Sequence, residues 1–283
     1  MSLKDSPFSK NLTLRIRDKI VDFSTPKIMG VLNVTPDSFF DGGKNNSLEN
    51  AVNQAEKMIE EGADFIDVGG YSSRPGADEV TIEEEINRTV PIVKAINQKF
   101  PDVFISIDTF RQVVAAKNVD AGATWVNDIS AGNLDVKMIP WIKASKVPYI
   151  AMHMRGNPQT MKGLTDYSDL TKQVLSELIF SVKELESEHP LILDPGFGFA
   201  KTLDQNYELM NNLDQFAQLD QPFLVGVSRK SMVYKFLETT PNDALNGTAV
   251  LNTIGLLKGA SVLRVHDVKE AREAVRLVTK VLA

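Results

Sequence analysis

The sequence contains no cysteine, which excludes disulfide bonds, thiolate metal sites and cysteine nucleophiles. It has no run of about 18 apolar residues, the length that a membrane-spanning helix needs. Its first ten residues, MSLKDSPFSK, lack the apolar core of a signal peptide. The net charge of -6 disfavours general binding to nucleic acid or anionic membranes. These absences predict a soluble, cytoplasmic protein.

The composition is that of an ordinary globular protein. Of the 283 residues, 43% are hydrophobic and 24% are charged, which is ample material for a core. No low-complexity segment and no shift in composition marks a boundary. We therefore expect a single domain over residues 1–283.

The order of predicted elements indicates the fold. Residues 12–23 alternate weakly around a polar centre and predict a short β-hairpin, about 12–24. From about residue 27 to 283, a short apolar strand, a polar loop and an amphipathic helix recur eight times. This count predicts an α/β protein, a single (β/α)8 TIM barrel with a short N-terminal β-hairpin. A doubly wound sheet usually has fewer strands, and no G-x-G-x-x-G motif follows the first strand.

The predicted strands are short and apolar. They cover residues 28–32, 65–68, 104–107, 124–126, 149–152, 191–193, 223–227 and 262–265. Predicted helices follow at about 48–61, 82–99, up to 121, 136–144, 170–186, 203–216, 231–258 with an interruption near 239–241, and 270–282. Ser47 and Thr81 are the expected N-caps of the first two helices, because Ser and Thr side chains accept hydrogen bonds from free helical N–H groups.

Polar side chains stand at nearly every predicted strand end, where a TIM barrel builds its site. These residues are Asn33, Asp67, Asp108, Asn127, His153, Asp194, Lys230 and His266. Strand-end polar residues are often only helix caps. Lys230 and Arg264, however, are poor N-caps, which favours a functional role.

The stretch 191–200, LILDPGFGFA, combines a buried strand with a carboxylate and a glycine loop. Asp194 stands where the strand should stop, and Gly196 and Gly198 permit unusual backbone geometry. Phe197 and Phe199 complete what could be one wall of a pocket for a flat ligand. The alternative is that Asp194 caps the next helix while the phenylalanines lie in the core.

Two ligand chemistries suit the strand-end residues. Asp108, Asn127 and Asp194, opposite Lys230, could bind a ring with adjacent N–H donors, because a carboxylate accepts two hydrogen bonds side by side. The alternative is a buried ion pair between Lys230 and a carboxylate. The basic residues, with Asn33, could bind phosphate or diphosphate, which would bring Mg²⁺ with oxygen ligands. They are Arg74, Arg264 and His266.

Seven segments, in order along the chain, resemble the signatures of the dihydropteroate synthase family. They are GVLNVTPDSFFDGG, DVGGYSSRPGA, SIDT, VNDIS, DPGFGF, VGVSRKS and RVHDV. The resemblance covers nearly the whole chain from about Lys27. It implies a transferase that joins 6-hydroxymethyl-7,8-dihydropterin diphosphate to 4-aminobenzoate in folate biosynthesis, releasing diphosphate. It also implies Mg²⁺, competition by sulfonamides, and a homodimer formed through the late helices.

The resemblance assigns roles to matching positions. Catalytic roles fall to Asp108, Asp194, Lys230 and Arg74. The pterin would be bound by Asp108, Asn127, Asp194, Lys230 and Gly226. The aminobenzoate side would be lined by Phe39, Ser73, Arg74, Pro75, Phe199 and Ser231. The diphosphate would be held by Asn33, Arg74, Arg264 and His266, with Asn33 also linked to the metal.

The chain departs from the family pattern in two places. Its second loop has GGYSSRPG where GGESTRPG is common, so Tyr71 replaces a carboxylate and Ser73 a threonine. After SIDT, Phe110 and Arg111 replace the frequent Ser-Lys. These departures affect the expected loop detail and leave the expected reaction unchanged.

Three other functions are compatible with parts of the sequence. A methyltetrahydrofolate:corrinoid methyltransferase would share the pterin carboxylates but needs no diphosphate clamp, so the RVH segment and the NVTPDSF loop disfavour it. An aldolase could use Lys230 as a Schiff base, although Arg229 and Ser231 fit the synthase pattern. A non-catalytic pterin-binding paralogue would be expected to lose first-loop and second-loop residues such as Asp37 and Arg74, which are present.

Overall fold

The computed structural model describes residues 13–16, 19–34, 44–72, 80–185 and 187–283, and for residues 44–47 it describes the backbone only. Within these ranges, no helix combines the length and hydrophobicity required to cross a membrane.

The N-terminal hairpin is confirmed. Strands β1 (Thr13–Ile16) and β2 (Lys19–Asp22) pair antiparallel, with Ile16 opposite Lys19. The hairpin buries Ile16 and Val21 in one apolar cluster with the first residues of the barrel strands.

The TIM-barrel prediction is also confirmed. The described residues form eight further strands, all parallel to their neighbours, in the order β8-β7-β6-β5-β4-β3-β10-β9. A bridge between Leu193 and Phe223 joins the two outer strands, so the barrel is nearly closed. The strands are β3 (Lys27–Asn33), β4 (Phe65–Gly69), β5 (Phe104–Asp108), β6 (Trp125–Asp128), β7 (Tyr149–Met152), β8 (Leu191–Asp194), β9 (Leu224–Val225) and β10 (Val262–Val265). The strand expected at 223–227 is shorter than predicted.

Helices alternate with the strands. Those described are α1 (Lys44–Glu60), α2 (Ile82–Lys99), α3 (Gln112–Asp120), α4 (Met138–Ser145), α5 (Leu170–Val182), α6 (Leu203–Asn211), α7 (Ser231–Tyr234), α8 (Leu245–Leu257) and α9 (Val268–Leu282). The predicted cap of α2 is confirmed, because the Thr81 side chain accepts from the Glu84 N–H at 3.1 Å. The expected N-cap Ser47 was wrong, since α1 begins one turn earlier.

Three predicted helical segments contain less helix than expected. The helix expected at about 170–186 ends at Val182. The helix expected at 203–216 ends at Asn211 and continues as a 3₁₀ turn, 213–218. The segment 231–258 is divided into α7 and α8, as its interruption predicted. Glu238 there has a positive φ of 52°, a left-handed conformation that no regular right-handed helix can contain.

Candidate active site at the mouth of the barrel

Side chains two residues apart on a strand share a face, so the inward positions of the barrel can be followed in steps of two. One inward layer, packed with the hairpin, is apolar and includes Phe65, Trp125, Ile192 and Val262. Two residues further toward the mouth, the same strands carry Asp67, Asn127, Asp194 and Arg264. The strands therefore deliver polar side chains to the C-terminal end.

Four side chains at this end form one hydrogen-bonded group, which we call the carboxylate cluster: Asp67, Asp108, Asn127 and Arg264. Arg264 donates from Nε to Asp67 Oδ2 and from a terminal nitrogen to Asp108 Oδ2, both at 2.7 Å. Asn127 Nδ2 donates to the same Asp67 oxygen at 3.0 Å. Asp67 is fully buried, and its Oδ1 has no hydrogen-bond partner among the described residues. The cluster therefore retains buried acceptor capacity.

The cluster is electrostatically strained. Burial raises the pKa of Asp108 to about 7; Arg264 opposes this rise, while Asp67 adds to it. Burial acts to lower the pKa of Arg264, but Asp67 and Asp108 outweigh it, so the net shift is upward. Arg264 is thus a permanent cation between two carboxylates, and Asp108 is protonated more easily than a solvated aspartate.

Asp194 and Lys230 form the second half of the site. Asp194 Oδ1 accepts the backbone N–H of Gly196 at 2.8 Å, and Lys230 Nζ donates to the Phe197 carbonyl at 2.6 Å. Lys230 Nζ also lies 4.9 Å from the centre of the Phe199 ring. Burial raises the pKa of Asp194, which Lys230 opposes, and burial lowers the pKa of Lys230 to about 8.

The structure decides between the alternatives for this stretch. The N-cap of α6 is Thr202, which forms a capping box with Gln205, so Asp194 is not the cap. Among the described residues no salt bridge joins Lys230 to a carboxylate, and its ammonium group is bound by a carbonyl instead. Phe197 is fully buried whereas Phe199 is half-buried, so only the first phenylalanine belongs wholly to the core.

Gly196 lets the backbone approach the site closely, and Gly226 lies beside Lys230 and Arg264. A Cβ on Gly196 would lie 2.0 Å from the His153 carbonyl oxygen, and Gly196 has a φ of +71°. A Cβ on Gly226 would lie 3.8 Å from Lys230 Nζ and from the Arg264 Cβ. Gly196 is therefore required by space as well as by conformation.

The predicted anion-binding residues are only partly described. Asn33 is half-buried at the end of β3. A Cβ added to Gly69 would lie 3.6 Å from both Asn33 Oδ1 and Asp108 Oδ2. His266 is exposed, with Nδ1 3.1 Å from Ser228 Oγ. Ser231 is half-buried at the start of α7. The predictions for Asp37, Phe39, Ser73, Arg74 and Pro75 lie outside the described residues.

No group of three or more His, Asp or Glu side chains in the described ranges is arranged to hold a metal ion. Mg²⁺ does not require such a group, because it keeps several waters and commonly uses one or two protein oxygens together with substrate phosphates. The Asn33 amide oxygen at the mouth fits this chemistry.

Sequence reasoning placed Asp67 at a strand end but gave it no role, and it missed Lys201 entirely. The role of Asp67 could have been found from alternation, since it lies two residues after the inward Phe65. Lys201 gave no such signal, because it belongs to a loop and its burial depends on contacts with the end of β7.

The two departures from the family pattern form one cluster. The rings of Tyr71 and Phe110 meet edge to face with centroids 5.2 Å apart, and the Arg111 guanidinium lies 5.2 Å from each ring centre. Arg111 also donates to the Val80 carbonyl at 2.7 Å and to the buried Glu85 carboxylate at 2.9 Å. The residues that stand at these departing positions, Tyr71, Phe110 and Arg111, therefore pack against one another.

Comparisons with known proteins agree with this geometry. Residues 29–266 match the family described as pterin binding enzyme. The chain is 43% identical over 267 residues to the dihydropteroate synthase of Escherichia coli K12, covering 93% of this chain and 94% of that protein.

Solved structures give the same result. A Yersinia pestis dihydropteroate synthase with a sulfonamide drug complex superposes with a TM-score of 0.88 at 39% identity, covering 95% of this chain and 98% of that one. A Xanthomonas albilineans dihydropteroate synthase with 4-aminobenzoic acid has a TM-score of 0.88 at 33% identity, covering 96% and 99%. Because the likeness extends over nearly the full length of each relative, the chain belongs to the dihydropteroate synthase family of pterin-binding enzymes.

Proposed function

We propose that the protein condenses 6-hydroxymethyl-7,8-dihydropterin diphosphate with 4-aminobenzoate to give 7,8-dihydropteroate and diphosphate. The observation that carries this proposal is the pairing of the buried carboxylate cluster with Asp194 and Lys230 at one barrel mouth. The fold and the family membership support it. So do the sulfonamide and the 4-aminobenzoic acid named with two of the similar structures.

The pterin would be bound at the barrel mouth by strand-end residues and by Lys230, which directly precedes α7. Asp108, Asn127, Asp194 and Lys230 form the polar wall, and Gly226 leaves room beside Lys230. Asp194 uses one oxygen for Gly196, and a carboxylate has about four acceptor positions, so capacity remains for a ring N–H pair.

In the reaction, the bond between the pterin methylene carbon and the diphosphate oxygen breaks, and its electron pair leaves with diphosphate. The aminobenzoate nitrogen forms a new bond to that carbon and loses one proton. Positive charge that develops on the dihydropterin would be stabilised by the nearby Asp108 and Asp194 carboxylates, which are already oriented. The arylamine is nucleophilic enough that the site needs no strong base.

The diphosphate side would use Asn33, Arg74, Arg264 and His266. Arg264 commits two of its five N–H groups to Asp67 and Asp108, so others remain for an anion. Mg²⁺ would be held through Asn33, and when bound it would neutralise the charge of the leaving diphosphate. The aminobenzoate side would be lined by Phe199, Ser231 and loop residues, namely Phe39, Ser73, Arg74 and Pro75.

The deciding experiment mixes the purified protein with both substrates and measures diphosphate and dihydropteroate. Formation of the two products in equal amounts is expected, and omission of 4-aminobenzoate should abolish dihydropteroate. A corrinoid methyltransferase would release no diphosphate, and a non-catalytic paralogue would bind a pterin without forming product. Either result contradicts the proposal.

The metal assignment has a separate test. We expect Asn33→Ala to leave the affinity for a pterin without phosphate nearly unchanged and to weaken Mg²⁺-dependent diphosphate binding, measured by calorimetry with and without Mg²⁺. An unchanged Mg²⁺ dependence would remove Asn33 from the metal site.

We also propose a homodimer formed by α8 and α9, which pack against each other. These helices expose Val250, Leu257, Leu277 and Val281 by 52%, 49%, 68% and 80%. Analytical ultracentrifugation should show a dimer that Leu277→Glu weakens; a monomeric wild type would contradict this. That residues 1–283 form a single domain and that the enzyme works in the cytoplasm stay predictions from the sequence.

A further inference from the structure

The loop between β8 and α6 has a backbone conformation that is unfavourable for residues other than glycine. Gly196, Gly198 and Ala200 all have positive φ, at 71°, 81° and 48°. Glycine adopts this region freely, but for alanine it carries a cost and persists only where the surroundings impose it. The loop carries Phe199 and follows Asp194 directly, so whatever holds this backbone also shapes the proposed site.

Lys201 holds the loop from beneath. It is 8% exposed, and its Nζ donates to the Gly196 and Phe199 carbonyls, each at 3.0 Å, and to His153 Nδ1 at 3.2 Å. A lysine ammonium has three donors and no acceptor, so these three partners satisfy it completely. Lys230 binds the Phe197 carbonyl of the same loop from the side of the site.

A chain of polar residues extends from Lys201 to the surface. Because His153 Nδ1 accepts from Lys201, its Nε2 carries the proton and donates to Glu177 Oε2 at 3.0 Å. Arg155 pairs with the same carboxylate, donating from Nε at 3.0 Å and from a terminal nitrogen to Oε1. The charges alternate along this chain, with the neutral imidazole between Lys201 and Glu177.

The carbonyl of Ala200, the last residue of the loop, is also held by a side chain. The Tyr167 hydroxyl donates to the Ala200 carbonyl at 3.0 Å, and the Arg155 guanidinium stacks 3.8 Å from the centre of the Tyr167 ring. The strained Ala200 is thus tied to the same polar chain that begins at Lys201.

We propose that Lys201 is a positioning residue for the transferase reaction: it holds the Gly196–Ala200 loop against His153 and, when protonated, places a positive charge near Asp194. The inference rests on the proposed function, because it assigns Asp194 to the pterin. Lys201 touches neither substrate and acts through Asp194 and Phe199.

The electrostatic surroundings agree with this role. Burial lowers the pKa of Lys201 to about 7, with Asp194 and Glu177 opposing the shift and Lys230 and Arg155 adding to it. Burial also lowers the pKa of His153 to about 4, so the imidazole is neutral near pH 7. Lys201 is one of the cations that oppose the burial-driven rise in the pKa of Asp194. Removing its charge should therefore raise the pKa of Asp194 further.

The first experiment compares Lys201→Met, Lys201→Arg and the wild type by calorimetric titration with a pterin across pH. Lys201→Met should weaken binding about tenfold at neutral pH, the effect of losing a charge-assisted contact. It should also shift the acid limb of the binding profile to higher pH. Lys201→Arg, which keeps the charge, should keep the wild-type acid limb. Lys172→Met is the matched control, because Lys172 lies on α5 with its side chain 78% exposed.

A merely structural role would weaken binding by the same factor at every pH. Equal acid limbs in Lys201→Met and the wild type would therefore overturn the inference, as would unchanged affinity. Circular dichroism must show that each variant is folded.

Glu177→Gln keeps the inference testable if Lys201→Met does not fold. The new amide side chain is neutral, but its oxygen can still accept from His153, so the fold should survive. Loss of the carboxylate charge should let Lys201 release its proton at lower pH, which moves the alkaline limb of pterin binding downward. A wild-type alkaline limb in this variant would contradict the inference.

Product formation separates the two possible failures. If the wild type forms no dihydropteroate, the proposed function fails. If the wild type is active and both variants show wild-type profiles, only the role of Lys201 fails.

Discussion

The two ends of the barrel are built from the same strands but have opposite chemistry. At the end that meets the hairpin, inward side chains such as Phe65, Trp125 and Ile192 are fully buried and apolar. Each of these strands carries a polar residue two positions further along. These residues, Asp67, Asn127 and Asp194, are also buried, with exposed fractions of 0%, 4% and 6%. Burial is therefore similar, and only the residue type changes.

This difference teaches that the two layers serve separate purposes. Apolar burial stabilises the fold, at about 25 cal/mol per Å². Buried carboxylates cost free energy unless they are paired, and pairing them seldom gives a net gain. The mouth keeps them with raised pKa values for Asp108 and Asp194. The apolar layer should therefore stabilise the fold, whereas the mouth lowers the stability near neutral pH and serves ligand binding.

The largest expected effect is on the apolar layer. Trp125→Ala should lower the free energy of unfolding by about 3–5 kcal/mol, because a large aromatic side chain leaves a cavity. Urea denaturation measures the loss. Trp125→Phe should lose less, since it fills most of the space and removes an indole N–H that has no acceptor among the described residues. Equal losses of unfolding free energy in the two variants would show that side-chain volume does not determine the stability of this layer.

The next effect concerns pH. The folded protein keeps the Asp108 proton up to about pH 7, whereas the unfolded chain releases it near 3.8. The folded state thus binds more protons in this window, so Asp108 makes the free energy of unfolding fall as pH rises from about 4 to 7. The contribution is on the order of 4 kcal/mol, from about 1.4 kcal/mol per pKa unit over about three units.

Asp108→Asn should remove this contribution. Urea denaturation of the variant and the wild type at several pH values is the measurement, and the difference between them should change most between pH 4 and 7. A difference in unfolding free energy that stays constant with pH would mean that burial does not raise the pKa of Asp108.

Asp194→Asn should weaken ligand binding without destabilising the fold, because it removes a buried charge whose pKa is raised by burial. Losing the charged acceptor for a pterin costs about 1.5–3 kcal/mol in affinity, measured by calorimetry with a pterin. Asp204→Asn, an exposed position in the first turn of α6, is the control and should bind as the wild type does. Unchanged affinity in Asp194→Asn would remove Asp194 from the pocket.

The smallest effect is expected at the hairpin surface. Lys19 forms an ion pair of 2.8 Å with the almost fully exposed Asp102. Exposed pairs contribute little because water and salt screen them. Lys19→Met should be indistinguishable from the wild type in urea denaturation at about 0.15 M salt; a clear loss would show that the hairpin's polar contacts also hold the apolar end.

Local pattern was enough to predict the order of the elements. Strand boundaries at 149–152 and 262–265, and the helix at 82–99, agree with the structure because short apolar runs, amphipathic period and the Thr81 cap are short-range properties. The start of α1 and the end of α6 were less predictable, since several polar residues near 47 and 211 could begin or end a helix. The site residues assigned by resemblance in the two long loops stay predictions.

The sequence by itself determined the barrel, the polar residues at its mouth and the family. The order of the elements and the residues at the strand ends can be identified along the chain without knowledge of any long-range contact. The sequence could not decide which side chains pair. Arg264 and Asp67 are 197 positions apart, and their hydrogen bond exists only because closing the barrel places β10 beside β3 and β3 beside β4. Lys201 became a buried cation for the same reason: its partner His153 lies 48 residues away in the chain, and packing alone brings the two together beneath the loop.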